Sequence, residues 1–158
     1  MCGIAGIFSL SGKSIENVET RIWKMINFLE HRGPDIQGVY VSKDQMVALG
    51  NTRLAIVDPS DKTKQPLESR DGKNVLSFNG EIYNYHDIQK KMQSEGFSFQ
   101  TKMDTEVLLQ GLGNEGEAFL QQLDGMWVFA YYNTEQRRLL ISRDLMGERH
   151  LFYRKTKD

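Results

Sequence analysis

The sequence holds one cysteine, Cys2, and three prolines. A single cysteine excludes an intrachain disulfide, which fits a reducing compartment. The histidines, His31, His86 and His150, have no ligand spacing to one another, so no zinc cluster can be built. No stretch is long and apolar enough to span a bilayer. The N-terminus lacks the basic start and apolar run of a signal peptide, and the expected location is the cytoplasm. Net charge is almost nil, with 20 Lys and Arg against 21 Asp and Glu, which gives no reason to expect nucleic acid or an anionic membrane as partner. There is no GxxxxGK followed by Ser or Thr, and no GxGxxG after a strand, so no nucleotide site is visible. Repeats, low-complexity tracts and obvious linkers are also missing. What remains is 158 residues, 39% apolar and 26% charged, which suits one domain with a real core.

Gly3 to Leu10 is apolar and β-prone and predicts a first strand. Ile15, Val18, Ile22, Met25, Ile26 and Leu29 recur at helical spacing, with Ser14 as N-cap and an end near His31. Val39–Ser42 and Met46–Leu54 predict two strands, and Asp58–Gly72 an ordered loop. Asn74–Phe78 predicts a strand ending at Asn79-Gly80, a turn-type pair. Asp87–Gln93 suits a short helix closed by Gly96, and Phe97–Phe99 a brief strand. Helix is expected over Thr105–Leu112 and Glu117–Leu123, then a hairpin of Met126–Tyr132 with Arg138–Ser142. Leu151–Tyr153 would start another strand. Strands with helices between and around them argue for a layered α+β domain. The aromatic-rich run Asp124–Tyr132 reads as core strand rather than a binding platform.

Chemistry concentrates at the start. Removal of Met1 would leave Cys2 with a thiol and a free α-amine, groups with ordinary pKa values of about 8.5 and about 7.7–8.0. The amine can take the thiol proton, directly or through a water, and the thiolate can attack a carbonyl. While Met1 remains attached, that nitrogen is an amide and cannot act as a base. The bland alternative for Cys2 is a small buried hydrophobe. An Asn79 side-chain amide and a Gly80 backbone N–H could stabilise a developing oxyanion, or could simply make a turn. Arg53 ends an apolar strand and needs a partner, either an internal carboxylate or a substrate carboxylate gripped bidentately. Asp104 precedes an apolar helix as N-cap, or holds a substrate ammonium. Together Arg53 and Asp104 could grip both ends of a free α-amino acid. His31 reads as structural and His86 as exposed.

Eight stretches, in order, resemble a class II glutamine amidotransferase domain of the asparagine synthetase type. They are Met1-Cys2-Gly3-Ile4-Ala5-Gly6, His31-Arg32-Gly33-Pro34-Asp35, Arg53-Leu54-Ala55-Ile56-Val57-Asp58, Gln65-Pro66-Leu67, Phe78-Asn79-Gly80-Glu81-Ile82-Tyr83-Asn84, Asp104-Thr105-Glu106-Val107, Asp124-Gly125-Met126 and Arg143-Asp144. The resemblance implies an N-terminal-nucleophile αββα sandwich, two antiparallel sheets between helical layers, over residues 1–158. It implies that Cys2 attacks the side-chain amide of glutamine and forms a γ-glutamyl thioester, with Asn79 and the Gly80 amide as oxyanion hole. Arg53 would take the α-carboxylate and Asp104 the α-amine, with Leu54, Ala55, Ile56, Val57 and Glu81 lining the pocket. No metal or cofactor is implied for this domain. ATP and Mg2+ would belong to an adenylating synthetase domain, attached or separate, that consumes the ammonia, most simply in making asparagine from aspartate. A homodimer is possible. An inert domain of the same fold, or a different acceptor such as a sugar or a β-lactam precursor, are the alternatives. The family commonly has Lys-Pro-Leu-Tyr where this chain has Arg149-His150-Leu151-Phe152, and its domain normally runs several strands further.

Overall fold

A computed structural model describes residues 2–54 and 64–156. The elements follow in the order β1 (Gly3–Phe8), α1 (Val18–Phe28), β2 (Ile36–Val41), β3 (Val47–Arg53), β4 (Leu67–Glu68), β5 (Asn74–Ile82), α2 (Tyr85–Ser94), α3 (Asp104–Glu115), β6 (Gly125–Asn133) and β7 (Arg138–Arg143). Short 3₁₀ turns cover Glu30–Arg32 and Gly116–Gln122. The strands form two antiparallel sheets, β1-β3-β2 and β4-β5-β6-β7.

Three apolar layers make this a sandwich. Val18 and Ile22 of α1 pack on Ala48, Ala5 and Ile7 of the first sheet. Between the sheets lie Val47, Leu49, Val75, Ala130 and Tyr132, with Phe8 against them. On the far face of the second sheet, Leu76, Phe78, Ile82 and Phe129 pack against Ile88 and Met92 of α2 and Val107, Leu108 and Leu112 of α3. The order helix, sheet, sheet, helix is the αββα arrangement expected above. Strand periodicity of two explains the division. In β3, Val47 and Leu49 face the second sheet while Ala48 faces α1; in β5, Val75 faces the first sheet while Leu76 and Phe78 face α2 and α3.

Several local expectations need correction. The first helix begins at Val18, not after a Ser14 cap. Its N-cap residue is Asn17, in the left-handed region at φ 52°. The Ile15 N–H is drawn instead to the Gln45 carbonyl, at 2.9 Å, which ties the segment to the β2–β3 connection. Asn79-Gly80 is not a turn: β5 continues through it to Ile82, because β6 offers a partner for every residue from Asn74 to Ile82. Phe97–Phe99 and Leu151–Tyr153 are not strands; Phe97 and Phe99 pack on the α2–α3 core with no ladder partner among the described residues. Gly116–Gln122 is 3₁₀ rather than α, and the Asp58–Gly72 loop contributes the two-residue strand β4. Asp104 is not the N-cap of α3; Met103 is.

Candidate active site

Register and periodicity bring the sequence-predicted residues to one place. Gly3 pairs with Thr52, and the Gly3 Cα faces Leu29 and the α1 side. One residue earlier, Cys2 therefore faces the second sheet, as Arg53 does one residue after Thr52. On β5, Asn79 and Glu81 share the face of Val75. A cavity of about 430 Å³ opens here, within the range of small-ligand sites, and Cys2, Arg53, Leu54, Asn79, Gly80, Glu81 and Asp104 all line it. Ala55, Ile56 and Val57 lie outside the described residues.

The end carrying Cys2 is firmly held. The Gly3 N–H donates to Thr52 Oγ1 at 3.0 Å, and that hydroxyl donates to the Leu29 carbonyl at 3.2 Å. Arg32 Nε donates to the Cys2 carbonyl at 3.3 Å. Cys2 is half-buried and has a free thiol. The same His31-Arg32-Gly33-Pro34-Asp35 stretch supports Arg53: the Asp35 N–H reaches the Arg53 carbonyl at 3.2 Å, and Pro34 bridges to Arg53 in parallel. Gly33 is needed for this approach. A Cβ there would sit 2.5 Å from Arg53 N and 2.6 Å from Arg53 C and Thr52 C. Arg53 itself is 5% exposed. Among the described residues His31 makes one hydrogen bond, of 3.1 Å between Nδ1 and the Phe28 carbonyl, and His86 is exposed.

In an antiparallel strand, alternate residues turn both backbone polar groups to the same edge. Tyr83 donates to Asp124 on the β6 side, at 2.7 Å, so the even-numbered residues of β5 face the opposite edge. There the Phe78 N–H donates to Gln65 Oε1 at 2.6 Å and the Ile82 N–H to Asp104 Oδ2 at 3.1 Å. The Gly80 N–H lies between them on that edge, at the cavity wall. Gly80 has no room for a Cβ, which would overlap the Met126 carbonyl and lie 2.7 Å from Trp127 Cα. Asn79 is 8% exposed. Asn51 supports the strand from behind: its Nδ2 donates to Gln65 Oε1 at 3.3 Å and to the Phe78 carbonyl at 3.2 Å.

Burial, the largest influence, pushes the Asp104 carboxyl above the usual carboxylate range. The Ile82 and Thr105 donors offset that only in part, and the neighbouring Glu81 charge adds to the rise. The cavity thus carries a buried cation and a desolvated carboxylate on separate elements, with a thiol and a strand-edge N–H also on its wall. Such a set can hold a zwitterion and attack a carbonyl.

Sequence reasoning missed several lining residues, among them Gln65, Thr101, Met103 and Arg149. Arg149 also lines a second cavity of about 470 Å³, shared with Cys2 and Asn79. Its Nη2 contacts Met126 Sδ at 3.0 Å. The segment bearing it is fixed by Asp144, whose carboxylate accepts the N–H groups of Glu148 at 2.8 Å, Arg149 at 3.0 Å and Trp127 at 3.3 Å. Burial works to raise the Asp144 carboxyl, but these backbone donors outweigh it and hold it below the usual range. The Arg143-Asp144 pair was a visible signal; its consequence for Arg149 was not.

Residues 1–158 match the family described as glutamine amidotransferase domain. The chain belongs to that family. The domain is 37% identical over 147 residues to asparagine synthetase B [glutamine-hydrolyzing] of Escherichia coli K12, covering 93% of this chain and 26% of that protein. Against asparagine synthetase [glutamine-hydrolyzing] 1 of Bacillus subtilis it is 34% identical over 159 residues, covering all of this chain and 25% of that one. The domain thus spans about a quarter of the length of these relatives. Among solved structures, the B. subtilis glutamine phosphoribosylpyrophosphate amidotransferase superposes with a TM-score of 0.74 at 19% identity, over 91% of this chain and 37% of that one. A structure titled the allosteric regulatory enzyme of purine biosynthesis gives 0.75, also at 19% identity and over the same shares. At that identity the likeness speaks for the fold alone, the αββα sandwich.

Proposed function

We propose that this domain hydrolyses glutamine to glutamate and ammonia, with Cys2 as nucleophile once Met1 is removed. The carrying observation is the convergence of Cys2, Arg53, Asn79, Gly80 and Asp104, from separate stretches, on one cavity. Arg53 takes the substrate α-carboxylate and Asp104 its ammonium. The Cys2 α-amine accepts the thiol proton, and Sγ attacks the amide carbon. Charge developing on the amide oxygen is met by the Asn79 amide and the Gly80 N–H. The C–N bond then breaks, the amine returns its proton to the leaving nitrogen, and ammonia departs from a γ-glutamyl thioester. Water, activated by the same amine, cleaves the C–S bond and releases glutamate.

The ammonia serves an ATP-dependent amide synthesis, most simply asparagine from aspartate, on a synthetase domain linked to this one or separate from it. ATP and Mg2+ act there. The named activities of the E. coli and B. subtilis relatives support that acceptor. Among the described residues no helix is long and apolar enough to cross a membrane, and no group of three or more His, Cys, Asp or Glu is placed to hold a metal ion.

The test is glutamate release by the purified chain. Wild type should release glutamate from glutamine, and Cys2→Ala should release none while keeping the same Tm. Equal activity in the variant would remove Cys2 from the chemistry.

A further inference from the structure

One wall of the cavity is the segment Thr101-Lys102-Met103, which has no regular structure yet borders the site along with Asp104. One carboxylate makes most of the hydrogen bonds that hold it, and Gln89 Nε2 adds one to the Thr101 carbonyl at 3.4 Å. Glu106, 8% exposed, accepts the Gln100 N–H on both oxygens, at 2.9 and 3.1 Å. It also accepts the Thr101 N–H and the Thr101 hydroxyl, each at 2.7 Å on Oε2, and Gln110 Nε2 at 3.3 Å. The Thr101 hydroxyl oxygen in turn accepts the Met103 N–H at 3.3 Å. Among the described residues none of these donors is a cation. The charge is used up on backbone and hydroxyl groups of the wall and on the Gln110 amide of α3.

We propose that Glu106 is a positioning residue for substrate binding: it fixes the 100–103 wall and so the place from which Asp104 enters the cavity. The inference rests on the cavity being the glutamine site. A carboxylate is needed because every group it faces is a donor. Glutamine at 106 would keep one acceptor oxygen but turn an NH2 against the Gln100 and Thr101 donors. The wall would loosen where the substrate ammonium is held, while Cys2, Asn79 and Gly80, on other elements, stay in place. The loss is therefore one of binding, not of the chemical step. A purely structural Glu106, stabilising the first turn of α3 beside its dipole, predicts instead a lower Tm with unchanged KM per folded molecule.

The experiment compares wild type, Glu106→Gln and Thr101→Val, the last removing only the hydroxyl that links Glu106 to Met103. Each is measured for glutamate release, for Cys2 labelling by the diazoketone analogue of glutamine, and for Cys2 labelling by iodoacetamide. Glu106→Gln should raise KM about tenfold or more with kcat within about threefold, and Thr101→Val should raise KM by about threefold. Diazoketone labelling at low concentration should slow by the same factors, and iodoacetamide labelling should not change. If circular dichroism shows Glu106→Gln unfolded, Thr101→Val decides alone. The proposal is overturned if folded variants keep the wild-type KM, if kcat falls with KM fixed, or if iodoacetamide labelling slows in parallel. Wild type that takes no diazoketone label would sink the glutamine site and this inference together; wild type that labels, with variants labelling equally fast, sinks the inference alone.

Discussion

Gly33→Ala probes the support of Arg53 from a residue that does not line the cavity. The added methyl carbon would lie 2.5 Å from Arg53 N and 2.6 Å from Arg53 C and Thr52 C. All three are backbone atoms of β3, so no side-chain rotation relieves the overlap. Reaching ordinary carbon contact, about 3.5 Å, requires β3 and the Gly33 loop to part by about 1 Å. Overpacking of this kind costs about 1–3 kcal/mol, which for a chain of this size lowers Tm by roughly 2–12 °C. The same displacement acts on catalysis through Arg53, since a misplacement of about 1 Å can cost about a hundredfold. Because Arg53 is assigned to the α-carboxylate, the loss should fall on KM, raised about tenfold to a hundredfold, with a smaller change in kcat. The assay is steady-state glutamate release alongside a thermal melt. A variant with the wild-type Tm would refute the close approach, and one with a lowered Tm but the wild-type KM would refute the role given to Arg53.

Asn79→Ala should lower kcat for glutamine by about a hundredfold to a thousandfold, with little change in KM, if its amide meets the oxyanion; an unchanged kcat would exclude that. Asp104 has its carboxyl raised by burial and must be ionised to hold an ammonium. The value of kcat/KM should therefore fall as pH drops through that raised value, on an acid limb above about 3.9, and Asp104→Asn should abolish the limb at the cost of a high KM at neutral pH. A limb that survives in Asp104→Asn would assign it to another group. Asp144→Ala leaves the buried Trp127 N–H and the part-buried N–H groups of Glu148 and Arg149 without their acceptor, at a cost of about 1–3 kcal/mol. Since the Asp144 carboxyl is held below its ordinary value, its stabilising effect is present above about pH 3.9 and is lost as pH falls through the folded-state value. The Tm gap between wild type and variant should close on acidification, and a gap independent of pH would count against the carboxylate.

Patterning reported the elements, while the layer order came only from the family resemblance. The helical spacing of Val18, Ile22 and Ile26 predicted α1, and the apolar runs that became β3 and β6 predicted strands. Failures occurred where a long-range partner overrode a local signal. Asn79-Gly80 carries turn chemistry, yet β6 pairs straight through it. Phe97–Phe99 has strand chemistry but, among the described residues, no strand beside it. Asp104 looks like a cap, but the Ile82 N–H at the sheet edge claims one of its oxygens.

Much of the site was visible because it is carried by short, ordered stretches, and the register of β1 with β3 then sets Cys2 and Arg53 on the same face. The supporting contacts were not visible. No local pattern announces that Gly33 must let β3 pass within contact distance, that Gln65 caps the Phe78 N–H, or that the Asp144 carboxylate fastens the segment bearing Arg149. These are pairings between distant stretches of chain, and only the folded geometry selects them.

The most direct test is to incubate the chain, with Met1 removed, with the diazoketone analogue of glutamine and to map the adduct by peptide mass spectrometry. One equivalent on the Sγ of Cys2, blocked by excess glutamine, is the predicted result. Label on any other residue, or none on trimmed and folded protein, would contradict a cysteine nucleophile at the head of this cavity.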